Sequence, residues 1–295
     1  MHRHGGGERQ PNAPGHALVV ALGLIAAFAC VEAVAGVFAG SLALLADAGH
    51  MVSDGLALGL ALFASWLARR PATPERTFGW QRAEILAALA NGVTLVALGL
   101  WIVVEAIRRI GDAPSVEGGW VLAAGLVGLA VNVAAARVLH GAGDGLNVRA
   151  AFLHVLADLA SSAGVVIAAL VILLTGWNVA DPIAGLLIGV LVLASSGGVL
   201  RESVGILLEG VPEGLDTAAL DRAMRSVGAV VDVHDLHIWT ITSGFPALSA
   251  HVLVEPRADC HGIRRELERM LSERFRLTHT TLQVEHAPGL IRLAP

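Results

Sequence analysis

The sequence predicts an α-helical membrane protein, six transmembrane helices followed by a C-terminal cytoplasmic α+β domain with the order αββαβ. Three observations carry this expectation. The 295-residue chain is 55% hydrophobic, with a mean hydropathy of +0.68. Only 15% of its residues are charged, against about 25% in an ordinary soluble domain. Six apolar stretches, 17–39, 42–68, 83–110, 119–139, 148–174 and 180–208, are each long enough to cross about 30 Å of hydrocarbon, which takes roughly 20 residues.

Taken in order, the polar start 1–16 reads as a tail, since the apolar stretch after it is long enough to span rather than to act as a short leader. Gly40-Ser41 between the first two spans is barely a turn. The connection 69–82 carries Arg69, Arg70, Arg76 and Arg82, and Arg137 and Arg149 bracket the fourth connection. With an even number of spans both termini share one side, and these arginines put that side in the cytoplasm. Arg108 and Arg109, at the other end of the third span, dissent; Asp112 and Glu117 do not cancel them under that rule. The 34 glycines and the absence of tyrosine suit closely packed membrane helices.

After Leu208, Glu209-Gly210-Val211-Pro212 stops the last span and a hydrophilic segment begins. Leu215–Val227 has helical periodicity with Asp216 as a cap. Residues 230–241 and 247–255 read as strands around the turn Ser243-Gly244-Phe245-Pro246. Residues 257–275 read as a charged amphipathic helix, and 280–286 as a third strand. The expected division is a tail 1–16, a helical membrane domain 17–208 and a cytoplasmic α+β domain 209–295.

The net charge of −5 and pI near 6.2 leave no electrostatic footprint for nucleic acid. Cys30 and Cys260 lie far apart in different kinds of segment, so no disulfide framework is implied. The chemistry sits inside the spans. The second contains Asp47-Ala-Gly-His50-Met-Val-Ser-Asp54, and the fifth repeats its spacing as His154-Val-Leu-Ala-Asp158. At 100° per residue His50 and Asp54 share a helix face one turn apart, with Asp47 a further turn along. An Asp near mid-membrane costs about 2.5–3.5 kcal/mol on insertion scales, so these groups must face each other or water. Two imidazoles and two carboxylates, a pair from each helix, close a tetrahedral shell suited to zinc, with cadmium, cobalt and manganese less favoured. The blander alternative is a set of helix–helix hydrogen bonds or a His–Asp proton relay without metal.

The segments 44–54, 78–89, 146–158, 180–185 and His234-Asp-Leu-His-Ile-Trp239 resemble the cation diffusion facilitators, most of all the bacterial zinc/cadmium/cobalt efflux branch and the animal zinc transporters. The resemblance implies a homodimer in a bacterial inner membrane, each protomer having six transmembrane helices and a cytoplasmic metallochaperone-like domain. It implies cation–proton antiport rather than enzyme chemistry, with zinc as substrate and as a regulatory ligand, and cadmium or cobalt as alternatives. It puts His50, Asp54, His154 and Asp158 at the transport site, and His234, His251 and Glu285 at a cytoplasmic metal site. His237, Cys260, His261, His279 and His286 are candidate additions, His237 also serving to hold the strand edge beside Trp239. Two features of some relatives are missing: 69–80 has neither His nor Asp for a second metal site there, and 139–146 has only His140 and Asp144 in place of a His-rich loop.

The other polar residues read more plainly. Glu84, Asn91 and Asn132 bond between helices beside small neighbours. Asp181 before Pro182 starts a helix. His2, His4 and His16 belong to the polar tail. Asp47 and Glu32 are candidate proton-path residues. A membrane metal sensor that binds zinc without net transport is the alternative function.

Overall fold

A computed structural model of the chain describes residues 13–140 and 146–287, with side chains described for 23–140 and 152–287. His2 and His4 lie outside the described residues, as does the His16 side chain; Asp144 also lies outside them. Six long helices come first: α1 (Ala13–Ala39), α2 (Leu42–Ala68), α3 (Ala83–Gly111), α4 (Gly118–His140), α5 (Leu146–Thr175) and α6 (Ala180–Leu207). Five, α2 to α6, are long and apolar enough to cross a membrane over their described residues, and α1 adds the apolar run Gly23–Ala39. Their outward faces carry large apolar side chains such as Phe38, Leu62, Trp120 and Leu174, the pattern of helices whose solvent is lipid. The C-terminal part is α7 (Thr217–Arg225), β1 (Val230–Thr242), β2 (Phe245–Val254), α8 (Cys260–Phe275) and β3 (His279–His286).

The chain forms two compact units. One holds the chain up to Leu60 together with Ala90–Gly198; the other holds Ala61–Leu89 together with the chain from Val199. In the first, the core is built largely from small residues, among them Ala43, Ala46, Ala124, Ala168, Ala169 and Ala184, with Leu44, Ile102 and Val165 between them. Small residues let helix backbones approach where lipid supplies no hydrophobic drive for association. At Gly128 a β-carbon would stand 2.8 Å from the Phe28 ring, which fixes how closely α4 lies on α1; at Gly189 it would stand 2.9 Å from Ile102.

Polar groups pin the start of α2. Gly40 takes a left-handed turn (φ 66°), and its carbonyl accepts a hydrogen bond from Arg109 Nη1 at 2.9 Å. Arg109 Nε also donates to Glu105 at 2.9 Å. One of the two arginines that dissented from the charge rule therefore has a structural task. The buried Asp181 carboxylate accepts from Leu42 N–H at 2.7 Å, from Ala43 N–H at 3.4 Å and from the Ser41 hydroxyl. Asp181 lies in the first turn of its own helix, α6, as expected, and its side chain also caps α2.

In the second unit, α7 is capped by Asp216, whose side chain accepts from Ala218 and Ala219 N–H at 2.9 and 3.1 Å. The sheet has the order β1-β2-β3, with β2 antiparallel to β1 and parallel to β3. Thr242 pairs with Phe245, so the hairpin loop is only Ser243-Gly244, with Gly244 at φ 74°; the expected turn loses Phe245 and Pro246 to the strand. Helix α8 starts at Cys260, three residues later than expected, because Asp259 accepts from His261 N–H at 3.0 Å and caps it there. Ile263, Leu267 and Leu271 face inward from α8, and Leu248, Ala250, Val252 and Val254 alternate inward from β2 to close the core. Glu84 accepts from the Thr242 hydroxyl at 3.0 Å, not from another membrane helix, and Arg82 pairs with Glu209 at 3.1 Å.

Candidate metal centre

Helices α2 and α5 bring all four transmembrane candidates to one place. The i,i+4 spacing sets His50 above Asp54 (3.5 Å, Nε2 to Oδ2) and His154 above Asp158 (3.7 Å). Across the helices, His154 Nε2 lies 3.1 Å from Asp54 Oδ2, and His50 Nε2 lies 3.9 Å from Asp158 Oδ1. Ligands about 2.0–2.2 Å from a tetrahedral zinc would stand roughly 3.4 Å apart, so the four imidazole–carboxylate edges have the length of shell edges. The imidazole rings themselves are 6.0 Å apart between centroids. No three of the four ligand atoms lie mutually within 4.8 Å among the described residues, so closing a shell requires the ligands to draw inward. Close packing beside the site limits that freedom: a β-carbon at Gly49, next to His50, would meet Leu98 of α3 at 3.3 Å.

The contacts are short yet poorly aligned as hydrogen bonds. Asp54 Oδ2, Asp158 Oδ2 and His50 Nδ1 are buried with no hydrogen-bond partner. A His–Asp relay would be expected to align donor and acceptor; here the ring Nε2 atoms of both histidines face carboxylates of both helices. Exposure is graded across the set, from 4% for the Asp158 side chain to 46% for that of His154. One side of the quartet is sealed in protein and the other is open.

Asp47 sits one turn from His50 and is fully buried. The Ser161 hydroxyl donates to its Oδ1 at 2.6 Å and the Ser162 hydroxyl to its Oδ2 at 3.4 Å, while Asn132 Nδ2 donates to Ser162 Oγ at 3.1 Å. Asn132 thus bonds between α4 and α5, as expected.

In the second unit, His234 and His251 are opposite each other on β1 and β2, with ring centroids 5.2 Å apart. Their third partner is Asp235, whose Oδ2 lies 3.4 Å from His234 Nδ1. One ligand atom from each of the three falls within 4.8 Å of the others. Asp235 reaches the site because the strand bulges there: the register shifts between His234 and His237, and Asp235 takes the left-handed conformation (φ 49°). Glu285 is not brought into this trio. The parallel register sets Gln283 beside His251 and Glu285 beside Leu253, two residues or about 7 Å farther along the strand, and the Glu285 carboxylate accepts from Gln283 Nε2.

The remaining histidines scatter. His237 lines a cleft of about 910 Å³ with Phe78, Arg82, Glu209 and Trp239. His279 packs edge-on to Phe78 and Phe245, at 5.9 and 5.3 Å. His286 Nε2 lies 3.4 Å from Cys260 Sγ and 3.1 Å from the Ala258 carbonyl. His261 is exposed in the first turn of α8. Asp235 was missed in the sequence because it sits between two histidines in a run that reads as unbroken strand. The signal for it was the residue type, since Asp is enriched in the left-handed region.

Membrane-length helices carrying facing imidazoles and carboxylates, joined to a small α+β domain with its own His–Asp cluster, define a multi-pass membrane protein that handles metal cations. The chain belongs to the cation efflux family. Residues 18–208 match the family's cation efflux transmembrane domain, and residues 212–287 match its cation efflux protein, cytoplasmic domain. The family is one of transporters, not enzymes. Among its relatives, the "Zinc transporter ZitB" of Escherichia coli (strain K12) is 44% identical over 274 residues, covering 92% of this chain and 87% of that protein. The "Cadmium, cobalt and zinc/H(+)-K(+) antiporter" of Bacillus subtilis (strain 168) is 40% identical over 274 residues, covering 91% of this chain and 88% of that protein. A solved structure, the "Metal-bound C-terminal domain of the CzcD transporter from Cuprividus metallidurans", is 35% identical and covers 24% of this chain and 99% of that one, with a TM-score of 0.24.

Proposed function

We propose that this protein exports zinc from the cytoplasm through His50, Asp54, His154 and Asp158, in exchange for protons. The observation that carries the reading is the crossing of the two pairs: His154 reaches Asp54 at 3.1 Å and His50 reaches Asp158 at 3.9 Å, so each imidazole serves the carboxylate of the other helix as well as its own. Mixed imidazole–carboxylate ligation suits zinc, with cadmium and cobalt as alternatives; one relative is named for zinc and another for cadmium, cobalt and zinc. Ligation needs neutral His and ionised Asp, so metal and protons compete for one set of atoms. Inward proton flow then drives metal outward when the four ligands are exposed to the two sides in turn.

The rest of the reading follows from the charge pattern and the family. Residues 17–208 form the membrane domain and 209–295 a cytoplasmic domain, with both termini in the cytoplasm of a bacterial inner membrane. The protein acts as a homodimer, and zinc held by His234, His251 and Asp235, with Glu285 as a more distant candidate, regulates it.

The test is reconstitution in vesicles loaded with a zinc-sensitive dye, with an imposed proton gradient. Gradient-driven zinc flux is expected for the wild type and its loss for Asp158→Ala, the variant remaining monodisperse. Wild-type flux in Asp158→Ala would sink the four-ligand site. Zinc binding without flux under any gradient would make the protein a sensor.

A further inference from the structure

Helix α2 ends in aromatic and basic side chains that the transport reading does not use. Phe63 and Trp66, in its last two turns, tilt against each other at 5.7 Å and are 57% and 53% exposed. Half-exposed rings at the end of a membrane-length helix suit the level where acyl chains meet headgroups. The Arg70 guanidinium lies over the Trp66 ring, 4.3 Å from its centroid. Further along the same connection, the Arg76 guanidinium lies over the Trp80 ring at 3.8 Å.

The connection 69–82 that carries these pairs is itself folded. Thr73 and Arg76 exchange backbone hydrogen bonds at 3.1 and 3.0 Å around Pro74-Glu75, and Gly79 N–H donates to the Arg76 carbonyl at 2.8 Å. Gly79 is left-handed (φ 65°), and a β-carbon there would stand 3.4 Å from the Arg70 carbonyl. The chain beside Trp80 therefore comes back to Arg70. Arg82 is neutralised by Glu209 at 3.1 Å. Arg69, Arg70 and Arg76 are exposed and have no carboxylate partner among the described residues, Glu75 being the only acid of 69–82. Setting the orientation of the spans requires their charge alone, not the stacking. A guanidinium held flat on an indole keeps its N–H edge free and is already ordered, the form in which arginine takes a phosphate through two hydrogen bonds.

We propose that the connection between α2 and α3 binds the phosphate headgroups of anionic phospholipids, with Arg70 and Arg76 as the grips and Arg69 adding charge. The occupant is a lipid rather than a soluble phosphate because these arginines follow directly on a membrane-length helix whose last exposed rings are Phe63 and Trp66. Basic residues next to a membrane helix gain about fivefold in affinity each from an anionic surface. A zwitterionic lipid sets its own cation beside the phosphate and is the weaker ligand. A lipid held there ties the α2–α3 connection to the membrane surface.

The experiment uses full-length protein in neutral detergent without zinc, so its outcome does not depend on the transport reading. Native mass spectrometry follows the lipid retained when phosphatidylglycerol and phosphatidylcholine of equal chain length are added together. It compares the wild type with Arg70→Gln/Arg76→Gln and with the charge-preserving Arg70→Lys/Arg76→Lys. The wild type should retain phosphatidylglycerol in preference. The Gln pair should bind it roughly twentyfold more weakly, two arginines at about fivefold each, and the Lys pair should fall between. No preference in the wild type, or wild-type retention in the Gln pair, overturns the proposal. Wild-type retention in the Lys pair reduces the site to charge and overturns the stacked grip. Displacement of phosphatidylglycerol by millimolar inorganic phosphate would make this a free-anion site and overturn the lipid assignment. If the Gln pair does not fold, Arg76→Gln alone is read by the same criteria.

Discussion

At the scale of single residues, the C-terminal trio makes a distinction the residue types alone do not. His234 and His251 have Asp235 at hand, whereas Glu285 is displaced along β3 and engaged with Gln283. Asp235→Ala is therefore expected to weaken zinc binding to the C-terminal site by about tenfold or more, about 1.4 kcal/mol, with Glu285→Ala the milder change. Calorimetric titration of the two variants checks this; the reverse order would return the site to Glu285. A second residue-level expectation concerns acid. The Arg225 guanidinium beside Asp232 holds that carboxyl below its ordinary range, and backbone N–H groups of Gly262 and His261 do the same for Asp259. A carboxylate whose pKa is depressed on folding stabilises the fold above its unfolded pKa, and that contribution is lost as pH falls through the folded value. Both groups are exposed, so the effect is modest and screened by salt. The unfolding temperature should drop below the unfolded carboxylate range, near pH 4, and Asp232→Asn should flatten that drop. An identical acid profile in the variant would remove Asp232 from the account.

At the scale of elements, helix ends decide more than helix interiors. The first N–H groups of α2 have no partner within the helix, and a span whose end is sealed in protein has no water to satisfy them. The partner is Asp181, 139 residues away from Leu42. Asp181→Ala leaves the Leu42 N–H and the Ser41 hydroxyl without an acceptor and should cost about 1–3 kcal/mol, read as a fall in thermal unfolding midpoint in detergent. Because α2 carries His50 and Asp54, the same variant should broaden the site and lower zinc affinity. Unchanged stability and affinity would show that the cap does not set the position of α2. The small-residue contacts act in the same direction: Gly128 against Phe28 and Gly49 against Leu98 leave little room for the helices to rotate, so the faces that carry the ligands stay turned toward one another.

At the scale of the whole molecule, the two-His, two-Asp quartet proposed as the transport site makes metal and protons competitors for one set of atoms. Because ligation removes protons from His and Asp, zinc binding to the intact protein should release protons and weaken as pH falls. Calorimetry in buffers of different ionisation enthalpy counts those protons, and a count of zero would sink proton–metal competition as the basis of exchange. What the sequence by itself determined was whatever depends on near neighbours along the chain. Six apolar stretches announce membrane helices because each must satisfy its backbone internally and its side chains in lipid. His-xxx-Asp twice over puts ligand pairs on helix faces because one turn is nearly four residues. The caps Asp216 and Asp259 needed only the following few residues. Tertiary structure decided which atoms from distant segments meet. It set His154 on Asp54, gave the start of α2 to Asp181, turned the Ser161 and Ser162 hydroxyls onto Asp47, and brought Asp235 rather than Glu285 beside His234 and His251. Those outcomes depend on helix rotation and strand register, which are settled by the packing of many side chains at once, so no single stretch of sequence contains them.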